Sequence, residues 1–134
     1  MDFSNKFEDD NEELLQQVQD DWLFILNKIE TYDPPIIEFL KGVPVHYVPD
    51  LTTEDGIIRI AEFVVDGVND FSLNVGRKYF ELKGLIAAGA LVHEIAHAIV
   101  ILRYLLNQDI QGYNTYALDN GGHTTEWRQV ADSL

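Results

Sequence analysis

Residues 90–106 read ALVHEIAHAIVILRYLL, and the fold turns on how that stretch is disposed. It is apolar almost throughout, yet His93, Glu94 and His97 stand near its middle. The run from Leu85 to Leu102 approaches the ~20 residues of a bilayer-spanning helix. A charged side chain at the centre of such a span costs about 2.5–3.5 kcal/mol. The stretch therefore reads as the central helix of a protein core, not as a membrane span. Imidazole and carboxylate groups are costly to bury without partners, so other parts of the chain must supply them.

Working outward, the same helix is predicted to start near Tyr79 and end near Leu106, weakened locally by Gly84 and Gly89. Ahead of it, FSLNV (71–75) alternates, with Phe71, Leu73 and Val75 on one face. IIRIAEFVV (57–65) is rich in β-branched and aromatic residues, and VPVHYV (43–48) reads as an edge or late-starting strand because of Pro44. The turn signals are PDLTTEDG and Asp66-Gly67. Leu14, Leu15, Val18, Trp22, Ile25, Leu26 and Ile29 recur at helical spacing, giving an N-terminal helix that Pro34 and Pro35 end. IIEFLKG adds a short helical turn, and residues 1–10 read as a frayed acidic tail. After the central helix, NQDIQGYNTYALDNGG reads as a loop, and TTEWRQVADSL as a terminal helix capped by Thr124 or Thr125. The expectation is one α+β domain over residues 1–134: an N-terminal helix, about three strands, the long helix and a C-terminal helix.

Composition narrows the function. The chain lacks cysteine, which excludes disulfides and thiolate metal sites. Nine Lys and Arg face 23 Asp and Glu, a formal charge of -14. Phosphate contacts need cations, so no direct nucleic-acid binding is expected, and any charged partner or substrate is expected to be basic. No signal-like start is present, and the expected location is cytoplasmic, off the membrane.

His93 and His97 lie four apart, on one face of a helix, where two imidazoles converge on one ion. Glu94 projects beside that ion and can take a proton from a water molecule that the ion acidifies. H-E-x-x-H thus supplies two ligands and a general base. A third ligand is expected from His123, after the Gly121-Gly122 pair that lets the backbone turn tightly, with Asp119 and Glu126 as rivals. Trp127 is read as the anchor of the last helix. Tyr113 and Tyr116 are read mainly as packing residues, with an oxyanion-stabilising hydroxyl as the alternative. His46, alone in a strand, is a plain hydrogen-bonded histidine. An edge strand in so small a sheet can also bind an extended peptide, a role weighed for FSLNV.

HEIAHA and GGHTTEW, separated by a polar segment, resemble the SprT/Spartan group of zincin metallopeptidases, and the layout is similar to small metallopeptidase-like proteins of phages. The resemblance covers the C-terminal half. It implies a minimal zincin-like fold, a Zn2+ cofactor held by His93, His97 and His123, Glu94 as general base, and a peptide or protein substrate. Thr124 departs from the family, which often has glycine there. No cysteine-bearing zinc ribbon or basic tail is seen, so DNA binding is not carried over. The alternative function is an acidic interaction or inhibitor protein on the same scaffold, with a structural or vestigial metal site, occupying a basic surface of a host protein.

Overall fold

Helix α1 (Phe3–Lys28) turns Val18, Trp22 and Leu26 into the interior, and partly buries Leu15, Ile25 and Ile29 beside them. The computed structural model describes residues 3–52, 56–67, 70–82, 85–119 and 122–134. The helix starts at Phe3, so the acidic segment expected to fray is helical from that residue. It stops at Lys28, and Pro34 and Pro35 open helix α2 (Pro34–Lys41) instead of closing α1. Proline suits a first helical turn because its missing N–H has no partner to lose there. Asp33, just before α2, accepts from the Arg103 guanidinium at 3.3 Å, fastening this corner to the far end of the central helix.

Three strands follow: β1 (Val45–Tyr47), β2 (Ala61–Gly67) and β3 (Asp70–Val75). They form one sheet in the order β1-β3-β2. β2 and β3 are an antiparallel hairpin with Phe63 opposite Leu73. β1 runs parallel to β3 with Val45 opposite Leu73, and begins just after Pro44 at a sheet edge, as expected. Phe71, Leu73 and Val75 are all buried, as their alternation requires. β3 is central, so the peptide-pairing role weighed for FSLNV is not open to it. β2 starts four residues later than the run IIRIAEFVV; Ile58 makes only an isolated bridge to Thr52. Asp66 and Gly67, expected as a turn, instead end β2, with Gly67 paired to Asp70; residues 53–55 of the other predicted turn, and 68–69, lie outside the described residues.

The single long helix expected from Tyr79 is two helices. Helix α3 (Arg77–Glu81) ends at Leu82, whose backbone is extended, and α4 (Leu85–Leu106) follows; Gly84 lies outside the described residues. Tyr79 therefore belongs to α3, where its hydroxyl donates to Asp21 of α1 at 2.7 Å. Burial, then that hydrogen bond, raises its pKa. The segment expected as loop holds helix α5 (Ile110–Leu118), capped by the Asp109 carboxylate, which accepts from Gly112 N–H. Helix α6 (Thr125–Ser133) closes the described chain, and Thr124 is its cap, accepting from Trp127 N–H at 3.2 Å.

The six helices and three strands among the described residues make a mixed α+β fold, with α4 packed against β2, α2, α5 and α6. From Glu94 to Val100 every residue of α4 is buried. Ile86–Leu106 is long and apolar enough to cross a bilayer by length and composition, and more than half of it is buried inside the fold.

Trp22 is 1% exposed and its indole N–H donates to Leu40 O at 3.0 Å, joining α1 to α2. Trp22→Ala is expected to destabilise by about 3–5 kcal/mol. Trp22→Phe, which keeps most of the packing and loses the hydrogen bond, should cost about 1–2 kcal/mol. Urea unfolding of both variants checks the order.

Candidate metal centre

One turn of α4 carries His93 and His97, and their Nε2 atoms stand 3.2 Å apart. His97 is buried and His93 half-buried. His123, in the short segment before α6, brings its own Nε2 to 3.1 Å from that of His93. The three rings offer ligand atoms that all lie within 4.8 Å of one another, close enough to hold one metal ion. Three imidazole nitrogens cannot all present lone pairs to each other at such range; a proton or a cation must sit among them. A tetrahedral centre with metal–imidazole bonds of ~2.0–2.1 Å has an edge of about 3.3–3.4 Å, near the 3.2 and 3.1 Å separations of His93 from His97 and His123.

Burial, and after it the neighbouring imidazoles, pushes His97 down to about 3, and burial lowers His93 as well. Both are therefore neutral near pH 7, the form that donates a lone pair to a metal.

The positions of the three rings are over-determined. His97 Nδ1 is 2.7 Å from the hydroxyl of Tyr116, a buried residue of α5. For Nε2 to ligate, Nδ1–H must donate to the tyrosine oxygen, so this contact selects the tautomer and fixes the ring. Trp127 stacks on His97 with centroids 5.1 Å apart, meets His93 and His123 edge-on, and donates from its indole N–H to His93 O at 3.3 Å. Gly122 explains the chain's approach: its φ is +82°, and a Cβ there would lie 3.2 Å from His97 Cε1 and from Tyr116 Cζ. Gly121 lies outside the described residues.

Glu94 is 7% exposed, and its Oε2 accepts from the Phe63 N–H of β2 at 3.0 Å. Burial pushes its carboxyl up to about 7, against the opposing pull of that hydrogen bond and of Arg59. Glu94 and His93 line one end of a cleft of about 320 Å³ between β2 and α4. The arrangement puts a carboxyl able to exchange a proton near neutrality beside three imidazole nitrogen donors.

The other candidates fall outside the cluster. Glu126 accepts from the Tyr104 hydroxyl at 3.2 Å, and Asp119 caps the end of α5. Tyr113 packs on the core. Tyr116, weighed as an oxyanion donor, instead spends its hydroxyl on the side of His97 away from Nε2. His46 is exposed on β1. Two residues have roles at the site that the sequence does not indicate. Tyr116 is a candidate from sequence, but its pairing with His97 depends on helix α5, which Asp109 before an apolar residue signals only weakly as a cap. Arg59, expected inside a strand, lies just before β2 at the cleft.

Comparison with protein-family models, with curated proteins and with solved structures finds no match to this chain.

Tyr116→Phe removes the oxygen that accepts from His97 and is expected to weaken metal binding about 10–100-fold, the usual cost of losing such a partner. Competition against a chromophoric chelator measures it; unchanged affinity would mean that the hydroxyl only fills space. Gly122→Ala should lower affinity and also destabilise the metal-free protein by about 1 kcal/mol or more, because alanine resists a positive φ.

Proposed function

We propose that this chain is a zinc-dependent peptidase with a zincin-like site, similar to the SprT/Spartan group. The observation that carries the reading is the convergence of His93, His97 and His123, with the Glu94 carboxyl lining the same cleft as His93. An all-nitrogen, thiolate-free donor set of three histidines suits zinc with one position left open. Bound there, zinc supplies Lewis-acid polarisation of the scissile carbonyl and acidification of water.

The protein residues divide the remaining work. Glu94 accepts one proton from water as the water oxygen bonds to the carbonyl carbon, then gives that proton to the amine nitrogen as the C–N bond breaks. The Phe63 N–H holds one carboxylate oxygen in place and leaves the other for the proton. A general base works best with a pKa near the working pH, and burial moves Glu94 in that direction. Arg59, Ile60 and Ala61, which lead into edge strand β2, form one wall of the cleft, and such an edge suits a substrate in extended conformation.

The purified chain should bind about one equivalent of zinc, and His93→Ala or His97→Ala should abolish most of it. Elemental analysis decides this. Glu94→Gln should keep zinc and fold while peptide cleavage falls by about 10²–10⁴-fold. Full zinc loading with no cleavage of any peptide would favour the acidic interaction protein instead.

Thermal unfolding with zinc and with chelator tests the third ligand. His123→Ala should lower the melting temperature of the zinc-loaded form and barely move the metal-free form, since a ligand stabilises only the state that holds it. Glu126→Ala, an exposed carboxylate held by Tyr104, should change both little. The opposite result would make the site two histidines and a carboxylate.

A further inference from the structure

The cleft beside His93 and Glu94 has two characters. Its walls are apolar, from Ile60, Ala61, Ile86 and Ala90, and Gly89 leaves room on the helix side. A Cβ built on Gly89 meets nothing within 4 Å. The remaining lining residue is Arg59, whose side chain is exposed.

Arg59 stands out in a chain with nine cations and 23 carboxylates. The ion pairs among the described residues use Lys41, Arg77 and Arg103, and none involves Arg59. Its charge instead bears on the site, acting on His93, Glu94 and His97 together. A guanidinium that is in no ion pair among the described residues, at the rim of an apolar cleft, is matched by a ligand that brings its own carboxylate next to an apolar group.

We infer that this cleft is the subsite flanking the scissile bond, and that it takes an apolar side chain followed by a carboxylate that pairs with Arg59. The inference rests on the peptidase reading of the same site. The carboxylate is either an acidic side chain or the C-terminal carboxylate of a short peptide. The overall negative charge acts differently: it is screened over ~10 Å at 0.1 M salt and steers a basic chain towards the surface. The favoured substrate therefore combines a generally basic or neutral sequence with one carboxylate next to the cleaved bond.

The test uses the full zinc-loaded chain and three succinyl-type hydroxamates, Leu-Gln-amide, Leu-Glu-amide and Leu-Gln free acid, with affinities read by calorimetry. The two carboxylate probes should bind roughly threefold to tenfold tighter than the neutral one, the scale of a partly exposed guanidinium contact. Whichever of the two gains more identifies the source of the carboxylate. Arg59→Gln should bring all three to the same affinity. Gly89→Leu, placed in open space on a helix, should weaken all three while zinc content and melting temperature hold. Equal affinities in the wild type, or a carboxylate advantage that survives Arg59→Gln, overturn the proposal. Cleavage of fluorogenic peptides is assayed in parallel. Discriminating probes without cleavage sink the peptidase reading and leave the subsite, whereas cleavage with indifferent probes does the reverse. No binding of any probe by the zinc-loaded chain overturns both.

Discussion

Burying a carboxylate and two imidazoles in the middle of an apolar helix is the constraint on which this structure depends. Each of the three groups must find a partner outside α4, because the helix uses its own backbone internally. Glu94 finds the Phe63 N–H of β2, His97 the hydroxyl of Tyr116 in α5, and His93 the ring of His123 ahead of α6. The indole of Trp127 adds a bond to the His93 carbonyl. The polar residues of α4 thus determine which elements surround it. No buried side-chain nitrogen or oxygen among the described residues lacks a partner.

The same burial prepares the groups chemically. Removing water disfavours charge, which moves carboxyls up and imidazoles down. Glu94 and His97 show both directions within one helical turn. A chain carrying a formal charge of -14 therefore has a centre where burial holds His93 and His97 towards the neutral form and the carboxyl is poised to take up a proton. Charge is concentrated on the outside, and Arg59 at the cleft is a local exception to its sign.

How much of this was legible follows from the kind of signal each part carries. Periodicity exposed the inward faces of α1 and β3, because Val18, Trp22, Leu26, Phe71, Leu73 and Val75 repeat at the period their element imposes. The three histidines could be grouped from spacing, one glycine and one cap. Helix α5 was missed because Gly112, Asn114 and Thr115 dilute its pattern, and Tyr116 went with it. The break between α3 and α4 has only Lys83-Gly84 as its signal, which reads equally as a local weakening of one helix. Sheet order was not readable either: pairing depends on contacts between segments far apart in the chain, which no local window contains.

The parallel pairing of β1 with β3 has a consequence for the order of assembly. β2 and β3 are neighbours in sequence and can zip together across a short connection, at little cost in loop closure. β1 cannot join before β3 is in place, since Val45 pairs only with Leu73 and β1 has no contact with β2 in the sheet. Contacts between distant segments are made late and slow the search. The hairpin is thus the natural nucleus of the sheet. A chain emerging from the ribosome would carry β1 unpaired until Val75 has been synthesised, leaving its strand edge open to other chains in that interval.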